Sequence, residues 1–433
     1  RMKLQSFIYG LFLTIFIVTR HQAASVYKMS SLFYILLFQT ALLAAERTDP
    51  EVYLNVPEMI EYWGYPAEEH KVKTSDGYII KIHRIPHGKN EKQLDVSKPV
   101  VFLQHGLLCS SSNWVSNLPN EALGYVLAEA GFDVWLGNVR GNTYGLEHIS
   151  LKPDQSEFWD FSWDEMALYD LPAMINYVLN ITRMASLGYI GHSQGTMIAF
   201  AGSSVNKELA RKMNVLIALG PVSTVKYITS PIRYLGPLSK DTELLCEFIG
   251  GCGFDFLPSD SLMKFLAQFL CGHRGLEEIV CENVIFLLCG YDYAQLNKTR
   301  LPVYISHTPA GTSAKNIIHY GQMVESGKCQ RFNYYDEKEN LAHYNTTQPP
   351  TFNMSNVRVP TVLYYASNDW LADPRDVMLL AQALPNVVHS KEIPNWEHLD
   401  FIWGLDATTL VYKPLIDYLE KFAVLEKEIE DSY

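Results

Sequence analysis

Leu187-Gly188-Tyr189-Ile190-Gly191-His192-Ser193-Gln194-Gly195-Thr196 decides the fold of this chain. Leu187–Ile190 is a short apolar run of strand length. It runs into Gly191-His192-Ser193-Gln194-Gly195, which fits G-x-S-x-G, and a helical pattern follows. The two glycines keep side chains away from a tight strand-to-helix turn, so the Ser193 hydroxyl stands exposed. The N-terminus of the next helix favours negative charge developing nearby. A bare G-x-S-x-G also matches ordinary turn serines by chance. The strand before it and the helix after it make Ser193 a candidate nucleophile.

On both sides of this stretch, strand and helix patterns alternate. His70–Lys73 and Tyr78–Arg84 flank Ser75-Asp76-Gly77, a hairpin signal. Val100–Gln104 is a strand entering His105-Gly106. Asn120–Ala130 reads as a helix stopped by Gly131, and Phe132–Leu136 as the next strand. Ser162-Trp163-Asp164-Glu165 is a capping box opening a helix toward Asn180, which Pro172 is expected to kink. After the strand Val215–Leu219 the alternation stops. It resumes with the strand Thr361–Tyr365, a helix near Pro374–Leu384, the strand Val388–Ile393 and a helix from about Ala407. Successive β-α units build a mostly parallel sheet with helices on both faces. Residues 221–352 then form an insertion between two sheet strands. Its Ser261–Leu270 stretch carries a helical apolar stripe, which by itself reads as core.

Composition limits the alternatives. The chain has 433 residues, 48% hydrophobic and 19% charged, enough apolar side chain for a large core and too much for disorder. A net charge of −12 disfavours a nucleic-acid partner and electrostatic attraction to anionic membranes, so any lipid contact must be hydrophobic. The apolar runs Phe7–Val18 and Leu32–Leu43 have the length of signal-peptide cores and are too short to span a bilayer. Residues 1–45 are therefore expected to be an upstream segment and a signal peptide, with Met29 as the preferred start. Five of the seven cysteines lie between Cys246 and Cys289, and no C-x-x-C occurs, which argues against thioredoxin-type redox and zinc ribbons. Sequons occur at Asn180, Asn297, Asn345 and Asn353. Together with the clustered cysteines they point to the secretory pathway.

A serine hydroxyl needs a base. In a site built on such a turn the partners follow in the chain order serine, acid, histidine. The last strand–helix unit contains His389 and His398. His389 lies inside a strand. His398 lies in Asn395-Trp396-Glu397-His398-Leu399-Asp400, a loop beyond a strand end, where active sites of parallel sheets are found. His398 is the expected base. Asp369 directly follows Thr361–Tyr365 and is the expected acid. Asp373, which looks like the cap of the next helix, is the alternative. The oxyanion needs two donors. One is the Gln194 N–H after the nucleophile; the other comes from His105-Gly106-Leu107-Leu108, with the Leu107 N–H preferred. His105 and His192 are expected to be structural. No metal or organic cofactor is called for.

These residues belong to longer matches. Met59–Pro66, Thr74–Tyr78, Phe102–Leu108, Asp133–Tyr144, Asp164–Pro172, Gly191–Thr196, Pro309–Ser313 and His398–Phe401 resemble the acid lipases of the α/β-hydrolase fold, the group of gastric and lysosomal lipases. The resemblance runs from about Asp49 to Tyr418. Trp396–Asp406 and Phe286–Tyr291 look closest to the lysosomal member. It implies the triad Ser193, Asp369 and His398, oxyanion donors Leu107 and Gln194, activity at acidic pH, and a lysosomal or secreted enzyme without a stable membrane anchor. It also implies that residues 221–352 are a mainly helical cap with a lid, set between core segments 46–220 and 353–433. A Cys271–Cys281 disulfide, with Cys289 free, is implied as well. Val139 stands where serine is usual before Arg-Gly-Asn. Cys246 and Cys252 look additional, and the Cys271–Cys281 spacing is one residue longer than usual.

The expected activity is hydrolysis of neutral lipid esters, triacylglycerols or cholesteryl esters, through an acyl-enzyme at a lipid–water interface. A thioesterase or small-ester esterase would use the same triad with a narrower pocket. A catalytically silent lipid-binding protein of this fold would not need the triad intact.

Overall fold

The computed structural model describes residues 49–91, 98–239, 255–256, 289–290 and 292–430. The expected signal peptide, the helical stripe at Ser261–Leu270 and Cys246, Cys252, Cys271 and Cys281 lie outside the described residues, as does most of the expected lid.

Eleven strands are described. They are β1 (Glu68–Lys73), β2 (Tyr78–Ile85), β3 (Val100–Gln104), β4 (Asp133–Leu136), β5 (Glu147–His148), β6 (Leu187–His192), β7 (Met213–Leu219), β8 (Asp255–Phe256), β9 (Thr312–Ser313), β10 (Thr361–Ala366) and β11 (Val387–Ile393). The main sheet runs β1-β2-β4-β3-β6-β7-β10-β11, with β5 beside β2. The pairs from β4 to β11 are parallel, and the β1–β2 hairpin joins them antiparallel.

The central strands β3, β4, β6, β7 and β10 read as largely apolar runs because both sheet faces are covered there. Alternate side chains leave a strand on opposite sides. Phe102, Trp135, Tyr189, Leu216 and Leu363 accordingly enter one core cluster, while Val101, Leu103, Val134, Ile190, Ile217 and Val362 enter another. Helices α1 (Val56–Tyr62) and α2 (Leu123–Glu129) pack into the second cluster. Helices α3 (Leu171–Thr182) and α4 (Gln194–Val205) pack into the first. Truncating one such side chain, Phe102→Ala for example, should cost about 3–5 kcal/mol.

Pro172 is accommodated without ending the helical path. The capping box is present, with the Ser162 N–H donating to Glu165 Oε2 at 2.7 Å. A π-helical turn, Met166–Asp170, precedes α3, and Pro172 falls in the first turn of α3. The π-helical turn, in which the Leu171 N–H donates to the Met166 carbonyl, shifts the hydrogen-bond register just before the proline and accommodates it within a continuous helical path.

β7 and β10 are neighbours in the sheet although 141 residues separate Leu219 from Thr361 in numbering. The described part of this long connection contains α5 (Leu301–His307), α6 (Ala314–Ser326) and a helix at Glu337–Tyr344. Leu301, Val303 and Tyr304 of α5 join the second core cluster, with Tyr304 stacked on Trp403 at 4.5 Å. Tyr320 and Met323 of α6 join the first. The connection therefore enters the apolar packing on both faces of the sheet. Helices α7 (Pro374–Ala383) and α8 (Lys413–Glu430) complete the fold. Asp373 accepts the Arg375 N–H at 2.9 Å as the N-cap of α7. Val139, the departure from the usual serine, is buried in the first core cluster.

Candidate active site

Ser193 joins β6 to α4 with φ 53° and ψ −120°. A non-glycine residue at positive φ is strained by steric contact with its Cβ. The neighbours explain why the turn survives. A Cβ on Gly195 would lie 2.2 Å from the Gln104 carbonyl oxygen, and one on Gly191 would lie 2.7 Å from the Gly195 carbonyl carbon. The chain can turn this tightly only with glycine at both places. The serine side chain is left at the carboxyl end of the parallel strands, only 9% exposed.

The two loops expected to supply its partners meet beside it. His398 Nδ1 and Asp369 Oδ2 are 2.8 Å apart, and both side chains are buried. The other carboxylate oxygen, Oδ1, accepts the N–H groups of Leu371 at 2.8 Å and Ala372 at 2.7 Å. Asp369 is thus held as an acceptor, and the imidazole must carry its proton on Nδ1 to complete the bond. That leaves Nε2 as the basic nitrogen. Asp373, the alternative acid, is engaged instead with its own helix and Arg375. His389 lies in β11, stacked on Tyr418 at 5.5 Å, as expected of a strand residue. No hydrogen bond joins Ser193 Oγ to His398 among the described contacts. Such bonds are commonly long without substrate and shorten when it binds.

The expected oxyanion loop touches the serine. A Cβ on Gly106 would lie 2.9 Å from Ser193 Cβ and 3.5 Å from Ser193 Oγ. His105 fixes the orientation of this loop. Its Nδ1–H donates to the Gly106 carbonyl at 2.8 Å, and its Nε2 accepts from Asn142 Nδ2 at 3.2 Å. The Cys109 N–H donates to the same carbonyl at 3.3 Å. In a planar trans peptide the C=O and N–H point opposite ways. Pinning the Gly106 carbonyl therefore aims the Leu107 N–H. Neither the Leu107 N–H nor the Gln194 N–H has a hydrogen-bond acceptor among the described residues. Burial lowers His105 to about 4, so its neutral tautomer persists under mildly acidic conditions.

Two features of the site, Gly220 and the acidic pair Glu397 and Asp400, were not read from the sequence, whereas His192 was expected to be structural. Gly220, at φ +55° after β7, packs against the expected base: a Cβ there would lie 3.2 Å from His398 Nδ1 and Cε1 and 3.5 Å from Asp369 Oδ2. A Gly-Pro pair directly after a strand was the available signal. His192 packs its ring on that of His398 at 4.7 Å. Glu397 and Asp400 flank His398 and are buried; the Glu397 N–H donates to Asp400 Oδ2 at 2.7 Å, and the Leu399 N–H donates to Glu397 Oε2 at 3.0 Å. Burial, reinforced by mutual repulsion and by Asp369 and Asp292, pushes both carboxyls upward, Asp400 to about 8. Two acids bracketing a histidine in one short loop were the visible hint.

Cys289 is a free thiol, as are the buried Cys109 and Cys329. Asn180, Asn345 and Asn353 are exposed and Asn297 is half-buried. No group of His, Cys, Asp or Glu that could hold a metal ion occurs among the described residues.

Comparison with known proteins agrees with this architecture. A family model of the partial alpha/beta-hydrolase lipase region matches residues 56–118, and one of the alpha/beta hydrolase fold matches residues 99–230. The chain is 48% identical to the lysosomal acid lipase/cholesteryl ester hydrolase of Homo sapiens over 374 residues, covering 86% of this chain and 92% of that protein. It is 48% identical to the gastric triacylglycerol lipase of Bos taurus over 371 residues, with the same coverage of each. A solved structure from Sulfolobus solfataricus superposes with a TM-score of 0.55 at 14% identity, covering 83% of this chain and 95% of that one, a likeness of fold alone.

Proposed function

Because the chain belongs to the acid lipase family of the α/β-hydrolase fold, we propose that it is a serine ester hydrolase of neutral lipids, triacylglycerols or cholesteryl esters. The observation that carries this reading is the His398–Asp369 pair. It is buried, bonded at 2.8 Å, and set beside a serine at positive φ.

In the proposed mechanism Ser193 Oγ attacks the ester carbonyl carbon and its proton passes to His398 Nε2. Asp369 holds the Nδ1–H, keeps the ring in the useful tautomer and stabilises the imidazolium. Negative charge on the carbonyl oxygen falls between the Leu107 and Gln194 N–H groups, at the amino end of α4. As the C–O bond breaks, Nε2–H protonates the leaving alcohol. Water then repeats the sequence on the acyl-enzyme, giving up its proton to His398, and the fatty acid leaves as Ser193 recovers its hydrogen. Every step is a proton transfer or an acyl transfer, and no redox step is involved.

Apolar side chains support a lipid substrate. Leu107 packs against the core cluster on the α4 side of the sheet, the cluster to which Val222, Val225, Ile228 and Tyr320 belong. We assign the residues around Asp255–Cys289, within the connection 221–352, to a cap over this region. The names of the relatives, a lysosomal acid lipase and a gastric triacylglycerol lipase, support a lysosomal or secreted enzyme. No helix among the described residues is long and apolar enough to cross a membrane.

The test is a chain-length series of p-nitrophenyl esters, followed by emulsified triacylglycerol and cholesteryl ester. Turnover should extend to the long-chain esters and vanish in Ser193→Ala. Hydrolysis confined to short esters would favour the esterase reading, and substantial turnover by Ser193→Ala would remove Ser193 as nucleophile.

A further inference from the structure

We infer that Asn316 and Tyr320, on helix α6 of the long β7–β10 connection, are positioning residues for the oxyanion site through the side chain of Gln194. The inference rests on the proposed role of the Gln194 N–H as an oxyanion donor.

Gln194 Oε1 accepts Asn316 Nδ2 at 2.9 Å and the Tyr320 hydroxyl at 3.3 Å. The directions follow from chemistry. The Trp163 main-chain N–H can only donate, and it lies 2.9 Å from the Asn316 amide, so the atom it meets is Oδ1. The other end of that amide must then be Nδ2, which donates both to Gln194 and to Thr312 Oγ1 at 3.0 Å. Gln194 must therefore present its oxygen, and its own Nε2 faces Met166 Sδ at 3.4 Å. The Asn316 main chain is tied as well, its N–H donating to Ser313 Oγ at 3.0 Å. All three side chains are buried: Asn316 fully, Gln194 at 2% and Tyr320 at 7% exposure.

The clamp matters because of where Gln194 sits. It is the first residue of α4, so its N–H has no partner within the helix to fix its direction. The residue before it, Ser193, is in a strained conformation, and no side chain caps the helix. Such a turn keeps its shape only when surrounding contacts over-determine it. A donor at the wrong angle loses most of its value to the transition state while leaving ground-state binding intact. The asparagine and the tyrosine supply the missing constraint from 122 and 126 residues away. They thereby link the long connection to the reacting oxygen.

The experiment compares Asn316→Leu, Tyr320→Phe, Gln194→Leu and the double variant Gln194→Leu/Asn316→Leu. The readouts are kcat and KM on a soluble p-nitrophenyl ester and the affinity for a trifluoromethyl ketone, whose serine adduct carries an oxyanion. Asn316→Leu should lower kcat by roughly tenfold to a hundredfold with KM within about twofold, and ketone affinity should fall in parallel. Tyr320→Phe should show the same pattern more weakly, and it decides the matter if Asn316→Leu fails to fold. The double variant should be no worse than Gln194→Leu, since the two side chains act as one unit. A lowered melting temperature with unchanged kcat and ketone affinity would overturn the clamp. If Ser193→Ala is inactive in the same preparation, that failure is distinct from failure of the catalytic assignment.

Discussion

His192 Nε2 lies 2.9 Å from the main-chain oxygen of His398. A carbonyl can only accept, so the imidazole of His192 is the Nε2–H tautomer and donates. Through this bond the residue preceding the proposed nucleophile holds the loop that carries the proposed base, 206 positions further along the chain. Burial holds His192 well below its ordinary value. It therefore stays neutral beside the imidazolium that the proposed mechanism forms on His398, where a second positive charge would raise the barrier.

Replacing this donor should misplace the base without removing it. His192→Phe should lower kcat on a soluble ester by roughly tenfold to a hundredfold, since small displacements of a catalytic group cost about that much. His192→Gln, which places an amide N–H near the same spot, should recover a large part. Equal activity in the two variants would show that the bond to the His398 carbonyl is irrelevant.

The choice between the two candidate acids is testable by contrast. Asp369→Asn should lower kcat by about 10⁴-fold, because the amide favours the wrong tautomer of His398. Asp373→Asn should leave kcat unchanged within a few-fold and cost at most about 1 kcal/mol as a cap substitution. Inactivity of the Asp373 variant, with the Asp369 variant active, would reverse the assignment.

Gly220→Ala tests the packing behind the base. Its positive φ costs an alanine about 1–2 kcal/mol, and the new methyl group would come 3.2 Å from the His398 ring. The expected result is a lower melting temperature together with a kcat reduced by roughly tenfold or more. Loss of stability with full kcat would mean that the ring does not feel the added carbon.

The carboxyl cluster predicts a direction for stability against pH. Asp400 is raised to about 8, chiefly by burial, and faces Glu397, Asp292 and Asp369. A carboxyl raised on folding binds its proton more tightly in the folded state. Its contribution to stability therefore grows as pH falls from about 8 toward the unfolded value near 4, and is lost as pH rises. The buried neutral histidines act the other way. His105, lowered to about 4, costs stability as pH falls from about 6.5 toward 4. Asp400→Asn can still accept the Glu397 N–H, and it removes the ionisable group whose proton the folded state must hold. It should raise the melting temperature by several degrees at pH 7.5 and change it little at pH 4.5, measured by calorimetry. An equal shift at both values would show that folding does not raise the Asp400 carboxyl.

Local patterns along the chain determine much of this protein. Leu187–Gly195 specifies a strand, a tight turn and a helix, because only glycine permits the approaches at positions 191 and 195. The alternation of apolar runs with helical periods determines a parallel sheet covered on both faces. The positions of Asp369 and His398 just beyond the ends of β10 and β11 bring them to one sheet edge, and their pairing was legible for that reason. Tertiary structure alone decided how those residues are held. The clamp on Gln194, the His192 bond to the His398 carbonyl, the approach of Gly220 and the burial of Glu397 and Asp400 all join segments distant in sequence or depend on what covers them. A strand or helix announces itself because its hydrogen bonds and apolar face repeat with a short period. A single side-chain hydrogen bond across 122 residues has no period, and its partners are chosen only when the sheet and helices have packed.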